Sequence, residues 1–512
     1  MYIVRGIITR LTRSICPECL AVVDATIERK DGRVLIVKTC KVHGTFSDVY
    51  YSDSRLYDGY EKYRTEGRGL DNPMTEKRHG CPYDCGICPD HKTSTILANI
   101  DLTNRCNFSC PLCFANARRS GYVYEPTMEQ VRRMLEMLRN EKPVPCYAVQ
   151  FAGGEPTLRE DLPEIINMAK GMGFFEIMIA TNGMRLARSK EYCMELRKTP
   201  LSTIYFQFDG VTEAPYMKLR GFNALPYKLK ALQNMREAGL NNVVFVPTLV
   251  KGVNSGQAAD IVRLAAKNVD IVRGVNFQPV SFAGRVDTEE LKNGRITIPD
   301  LLDLLEEQSN GEIVKGDFFP CPVVAPMSDI LEAWTRQPQI KFTVHPHCGV
   351  ATYIFVDEKG GLLPITRFVD VDGLMETVER VSKECSGSRY PKVFIVEKLI
   401  REASKYVDRA KMPESVDIPK ILLAFVRSGD PINVLSKFHY KALLVSAMHF
   451  MDPYNMDLER VRSCGIHYAT PDGRVIPFCN YNMLYRRDIE KKFARRAEAI
   501  SAPAQHLAAG TH

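Results

Sequence analysis

The sequence predicts an α/β protein: a parallel sheet covered by helices, preceded by a small metal-bound module and followed by a cysteine-bearing C-terminal segment. Three observations carry that prediction. Continuous apolar runs alternate with helical periodicity from about residue 95. The 16 cysteines fall largely in closely spaced sets. A C-x3-C-x2-C run, Cys106, Cys110 and Cys113, directly follows the first of the apolar runs.

A chain of 512 residues, 45% hydrophobic and 25% charged, can bury a large core and should divide into about two to four domains. The expected division is 1–94, 95–285 and 286–500, with a disordered tail over 501–512. No N-terminal h-region and no apolar stretch of about 18 residues is legible, so a signal peptide and a transmembrane helix are unsupported. The net charge of +7 comes without a dense Lys/Arg block. Nucleic acid is therefore not expected as a partner, whereas an anionic or phosphorylated substrate is tolerated. Clustered cysteines without an export signal indicate metal ligation in a reducing, cytoplasmic compartment. Cys146, Cys193 and Cys385 stand alone and are read as structural thiols.

Residues 1 to about 50 form the first unit. Cys16-Pro-Glu-Cys19 makes a knuckle, two alternating segments (Val22 to Glu28 and Arg33 to Lys38) flank an Asp31-Gly32 hairpin turn, and Cys40 precedes a closing His43-Gly44. So short a piece requires a metal staple. Tyr50 to Asn72 reads as a linker. A second triplet follows, Cys81, Cys85 and Cys88, again at C-x3-C-x2-C spacing. Two arrangements suit these six cysteines. Cys16, Cys19 and Cys40 with one more ligand could hold a rubredoxin-like iron or zinc, leaving Cys81, Cys85 and Cys88 for a [4Fe-4S] cluster. Alternatively, the Cys16/Cys19 and Cys85/Cys88 knuckles pair in one tetrathiolate site.

The alternating region has candidate strands at Ile96–Leu102, Tyr147–Phe151, Phe175–Ala180, Thr203–Phe208, Val243–Leu249 and Val272–Gln278. Helices are expected near Met128–Arg139, Leu162–Lys170, Ser189–Arg197, Ala224–Ala238 and Gly256–Ala266. Apolar strands separated by helices indicate a parallel sheet with helical cover. Three thiols within eight residues, Cys106 to Cys113, suit a soft metal centre and leave one iron of a [4Fe-4S] cube open. Gly153 and Gly154 allow close approach of backbone to a ligand. Gln207 and Asp209 lie opposite Phe206 and Phe208 by strand alternation and point inward, as do Asn276 and Gln278 on the sixth strand.

Beyond residue 280 a helix is expected over Arg295–Asn310, capped by Asp300, and a linker near Glu384–Arg389. Val393–Ser446 reads as helix-rich, and its apolar runs Ile421–Val426 and Ala442–Phe450 suit either core or a hydrocarbon groove. Cys321, Cys348, Cys464 and Cys479 are read as the ligands of a further [4Fe-4S] cluster, and Arg486–Arg496 as a terminal helix.

The cysteine loop with Phe114 after its last thiol resembles the radical S-adenosylmethionine (SAM) superfamily, and the six strand–helix units resemble its partial (β/α)6 barrel. Barrel chemistry gathers at the C-terminal ends of strands. The resemblance implies that Gly153-Gly154-Glu155-Pro156 contacts the SAM amino group, and that Thr181-Asn182-Gly183 lies near its ribose and carboxylate. It also implies that Cys106, Cys110 and Cys113 carry the cluster that cleaves SAM reductively. At finer grain, the Cys16-Pro-Glu-Cys19 module ending in Thr39-Cys40-Lys-Val-His43-Gly44, the second triplet and the C-terminal cysteines resemble the archaeal tetraether lipid synthase group. That likeness implies three [4Fe-4S] clusters, one mononuclear rubredoxin-like iron or zinc, and a ferredoxin- or flavodoxin-like electron donor. It further implies sp3–sp3 coupling of isoprenoid chain ends of archaeal diether phospholipids into tetraether or macrocyclic lipids, with peripheral membrane contact. The alternative is a radical SAM methyltransferase acting on 7,8-dihydro-6-hydroxymethylpterin in tetrahydromethanopterin biosynthesis, which predicts a compact polar pocket. A peptide-modifying maturase would instead require an open groove.

Overall fold

The computed structural model describes residues 2–4, 7–357, 359–386, 392–413 and 442–495. At the N-terminus five antiparallel strands lie in sequence order: Tyr2–Val4, Ile7–Ile15, Val22–Lys30, Arg33–Cys40 and Gly44–Tyr51. The two-residue hairpin loop has Asp31 at φ 51° and Gly32 at φ 74°, the left-handed pair whose twist matches that of the flanking strands. The expected linker after it contains a helix, Ser54–Glu61. Asp53 caps that helix by accepting from the amides of Arg55 and Leu56, and Tyr57 and Tyr60 are buried beneath it. Asp457 fastens this module to the C-terminal half. It accepts from Arg10 and from the Thr12 hydroxyl at 2.6 Å each, and from the Tyr50 hydroxyl at 2.8 Å.

The six expected strands form at Leu97–Thr103, Ala148–Gly153, Glu176–Thr181, Thr203–Gln207, Val243–Val246 and Val272–Pro279. They pair in parallel in that order. The helices between them include Met128–Arg139, started by a Thr127/Gln130 capping box. Phe206, Phe245, Val275 and Phe277 are fully buried on the helix-facing side. Tyr205, Gln207, Asn276 and Gln278, on the opposite face, are only half-buried, as are Met178 and Ala180. The inner, lumen-facing side of the sheet is therefore less tightly covered than the helix-facing side, and the side chains named on it are mostly polar.

The sheet continues past both expected edges. Ala442–Met448 pairs in parallel with the sixth strand, and Ile466–Ala469 pairs in parallel with the first. Gly349–Val356 and Val475–Pro477 then add antiparallel at the two ends. The apolar run from Ala442 is thus a strand in the sheet and not a helix of the expected kind. A short, uninterrupted apolar run is compatible with either structure. Ile421–Val426 lies outside the described residues, as does the tail 501–512. The helix expected to be capped by Asp300 runs from Ile298 to Gln308 with Thr297 as its cap. Asp300 is its third residue, reaching back to the Thr297 amide at 2.8 Å. The terminal helix ends at Lys492. No described helix is long and apolar enough to cross a membrane.

Candidate active site

Four loops meet at the C-terminal ends of the first four barrel strands. The cysteine loop leaves Leu97–Thr103 and is pinned by Leu112–Cys113, which pairs antiparallel with Arg285–Val286. Arg285 Nε donates to the Cys110 carbonyl at 2.8 Å. Cys106, Cys110 and Cys113 are all partly exposed. The Phe108 amide donates to Cys106 Sγ at 3.3 Å. Burial pushes the Cys106 thiol well above its ordinary pKa. A three-thiol set on one loop fits an iron–sulfur cube with one iron left open.

The glycine loop approaches protein backbone rather than open space. A Cβ on Gly153 would stand 2.2 Å from the Thr103 carbonyl oxygen, and one on Gly154 would stand 2.2 Å from that of Arg105. The amides of Gly154 and Glu155 donate to these same carbonyls at 2.6 and 2.9 Å. The glycines therefore press their loop against the cysteine loop. Glu155 is 1% exposed. Its carboxylate accepts from the Thr157 amide and hydroxyl (3.2 and 2.6 Å), the Thr181 hydroxyl (2.7 Å) and the Asn182 amide (2.7 Å). Here Glu155 joins the second and third strand-end loops. Pro156 starts the turn that presents Thr157 to it. Asn182 Nδ2 donates to Asn107 in the cysteine loop at 2.7 Å. Phe114 packs edge-on to Phe478, their centroids 5.8 Å apart.

Asp209 is fully buried and takes a bidentate grip from Arg220, with both bonds at 2.7 Å. Gln207 donates to the same carboxylate. Lys228, 1% exposed, donates to the Asn182 carbonyl at 2.6 Å and to Gln207 Oε1 at 2.7 Å. Burial lowers its pKa to about 7. Neither cation was singled out from the sequence. For Lys228 a signal was present: with Ala231, Leu232 and Met235 it occupies the i, i+3, i+4, i+7 face that the helix buries. On the lumen wall, Asn276 and Gln278 both donate to the Tyr205 hydroxyl, the latter at 3.2 Å. The Asn276 Oδ1 is buried without a hydrogen-bond partner.

At the N-terminus the structure decides between the two arrangements. The ligand atoms of Cys16, Cys19, Cys40 and His43 all lie within 4.8 Å of one another. His43 Nδ1 is 3.6 Å from the sulfurs of both Cys16 and Cys40. The Val42 and His43 amides lower the Cys40 thiol to about 6, favouring the metal-binding thiolate. His43 supplies the fourth donor atom that the sequence reading lacked. The paired-knuckle arrangement with Cys85 and Cys88 is overturned. A three-cysteine, one-histidine set also differs from the four thiolates of a rubredoxin site.

Cys81, Cys85 and Cys88 line one small cavity with His91 and Arg462, and Asn480 Nδ2 donates to Cys85 Sγ at 2.8 Å. The C-terminal four also converge. Cys321 Sγ lies 3.2 Å from where a Cβ on Gly349, next to Cys348, would stand. The Cys348 carbonyl accepts from the His449 amide at 2.9 Å, and Met451, two residues on, donates its amide to Cys479 Sγ at 3.3 Å. Burial raises the Cys321 and Cys464 thiols to about 12 each.

Residues 100–265 match the family model described as the radical SAM superfamily, and residues 8–52 match the HMPTM N-terminal zinc ribbon domain. A Methanocaldococcus jannaschii protein named 7,8-dihydro-6-hydroxymethylpterin dimethyltransferase is 51% identical over 485 residues, covering 94% of this chain and 95% of that one. A Clostridium acetobutylicum GTP 3′,8-cyclase is 25% identical over 245 residues, covering 46% of this chain and 76% of its own. The solved structure of Streptococcus suis SuiB bound to S-adenosylmethionine covers 43% of this chain and 48% of its own, at 16% identity and a TM-score of 0.35. The expected place in the tetraether lipid synthase group, and with it the coupling of archaeal phospholipid tails, is corrected by the first of these relatives. Aligned along nearly the whole chain, it is named for a pterin and not for a lipid. The flanking motifs behind that expectation specify an arrangement of cysteines, which does not by itself select a substrate. With the fold, the strand-end loops and this relative in agreement, the chain belongs to the radical SAM superfamily, in the zinc-ribbon-bearing family of the Methanocaldococcus jannaschii 7,8-dihydro-6-hydroxymethylpterin dimethyltransferase.

Proposed function

We propose that this protein is a radical SAM methyltransferase acting on 7,8-dihydro-6-hydroxymethylpterin. The observation that carries the reading is the 51% identity, along 94% of the chain, to the relative of that name. The lumen is consistent with it. A bicyclic heterocycle presents amide-like donors and acceptors at one edge, and Asn276, Gln278 and Tyr205 offer matching groups on a half-buried wall.

In this reading Cys106, Cys110 and Cys113 hold the SAM-binding [4Fe-4S] cluster. Phe114, Gly153, Gly154, Glu155, Pro156, Thr181 and Asn182 shape the SAM site around it, and Gln207, Asp209, Asn276 and Gln278 form the inner wall. Cys81, Cys85 and Cys88 serve a second cluster, while Cys321, Cys348, Cys464 and Cys479 serve a third. Cys16, Cys19, Cys40 and His43 hold zinc as a structural staple. The division 1–94, 95–285 and 286–500 follows these metal sites. A ferredoxin- or flavodoxin-like protein supplies electrons. When bound, the cluster and SAM together supply one-electron chemistry able to activate an otherwise inert C–H bond. The protein's own contribution is positional. Glu155 fixes two of the loops against each other, Lys228 ties Asn182 to Gln207, and the Asp209–Arg220 pair stiffens the end of the fourth strand beside Cys110.

The test uses anaerobically reconstituted full-length protein with dithionite, SAM and 7,8-dihydro-6-hydroxymethylpterin, read by mass spectrometry. Methylated pterin is expected, and its absence from the Cys106→Ala protein. Pterin returned unchanged from a mixture that still cleaves SAM refutes the reading. A parallel incubation with diether phospholipid is the opposing arm: joined lipid chains beside untouched pterin refute it as well.

A further inference from the structure

Among the described residues, Arg460 is a buried cation that forms no ion pair with a carboxylate. It is 1% exposed, and its Nε has no partner. Its Nη2 donates to the His449 carbonyl at 3.0 Å, and the guanidinium lies 5.4 Å from the centre of the Tyr50 ring. Asp457, one turn earlier, is engaged by Arg10, Thr12 and Tyr50. The surroundings of Arg460 are instead sulfurs and a phenol: the His449 that accepts from it donates its own amide to the Cys348 carbonyl at 2.9 Å, and two residues on the Met451 amide donates to Cys479 Sγ at 3.3 Å. Cys464 follows Arg460 by one turn, its amide donating to the Val461 carbonyl at 3.1 Å.

An uncompensated charge in a dry interior is among the costliest things a fold can hold, and arginine does not escape by losing its proton. Neutral thiols do not compensate it. A cubane cluster bound by four thiolates does, being a net anion in both oxidation states and more negative when reduced. We infer that Arg460 is the counter-ion of an iron–sulfur cluster held by Cys321, Cys348, Cys464 and Cys479, and that its charge raises that cluster's reduction potential. The inference rests on the proposed assignment of those four cysteines to one cluster. Its sign follows from charge alone, because a fixed cation favours the more negative, reduced form. Hydrogen bonding to cluster sulfur acts in the same direction.

The experiment compares reconstituted wild-type protein with Arg460→Gln, Arg460→Lys and Cys464→Ala by iron content and an EPR-monitored redox titration. The C-terminal cluster is the signal lost in Cys464→Ala. If Cys464→Ala loses neither iron nor a signal, the cluster assignment itself fails, separately from the role of Arg460. With the assignment standing, Arg460→Gln is expected to lower the reduced-to-oxidised ratio at fixed potential at least tenfold, equivalent to 59 mV for one electron. Arg460→Lys, which keeps the charge, is expected to stay within threefold of wild type. A Gln variant that fails to load this cluster while the Lys variant loads it also supports the counter-ion role. An unchanged midpoint in Arg460→Gln overturns the inference, as do equal shifts or equal cluster loss in the Gln and Lys variants.

Discussion

Replacing Asp209 by Asn removes the charge from one half of a fully buried pair. Asp209 has no exposed surface and Arg220 is 9% exposed, and the two meet through parallel bonds of 2.7 Å. The carboxylate also accepts from the Thr248 amide at 3.2 Å. An asparagine oxygen keeps one acceptor but offers no countercharge, and its amine faces a guanidinium. Stranding one member of a buried pair costs about 3–5 kcal/mol, and we expect about 3 kcal/mol because part of the hydrogen bonding survives. The double replacement Asp209→Leu with Arg220→Met removes both charges. It should recover at least about 2 kcal/mol relative to the single change, since an apolar pair escapes the desolvation cost. Urea unfolding of the anaerobic protein, followed by far-UV circular dichroism, measures both. An Asp209→Asn cost below about 1 kcal/mol refutes the argument, as does a double mutant that costs the sum of its parts.

Three further outcomes are expected. Gly154→Ala puts a Cβ 2.2 Å from the Arg105 carbonyl and should weaken SAM binding at least tenfold by calorimetry, about 1.4 kcal/mol. Gly256→Ala, with nothing within 4 Å of the added carbon, should bind as wild type. His43→Ala should remove one zinc per chain by elemental analysis without changing iron; retained zinc would exclude His43 as a ligand. Glu141 is 1% exposed, and burial raises its pKa from 4.5 to about 7. A carboxyl raised on folding contributes stability that is complete below its unfolded pKa and is lost as pH rises through the folded value. About 3 kcal/mol should therefore disappear between roughly pH 4.5 and 7. Glu141→Gln should flatten that part of the stability profile, and an unchanged slope would show that Glu141 does not titrate there.

The parts of the fold written into local pattern were legible in advance. Met128–Arg139 and the six barrel strands follow from periodicity and caps, and the Asp31-Gly32 turn follows from the demand for two positive φ angles. Properties that depend on distant partners were not legible. Ala442–Met448 is apolar at all positions but Ser446 although only its Leu443, Val445 and Ala447 face is fully buried, so its sequence is that of any apolar segment. His43 joins the three thiols only once the hairpin brings Cys40 back beside Cys16. Gly153 and Gly154 announced a close approach, but not that it would be to Thr103 and Arg105. The substrate was read wrongly because cysteine spacing records what binds metal, while the lumen wall that faces a substrate is scattered over strands with no motif between them.

The two late strands that flank the barrel sheet bear on how the chain is made. Leu97–Thr103 finds its outer neighbour only in Ile466–Ala469, and Val272–Pro279 finds its own only in Ala442–Met448. Until those segments leave the ribosome, both margins of the nascent sheet present unpaired amides and carbonyls, a template for joining another chain. At about 5–20 residues per second that exposure lasts on the order of 20–70 s for the first strand. Translation speed and chaperone supply, more than the stability of the finished molecule, should therefore govern how much of this protein an expression host recovers in native form.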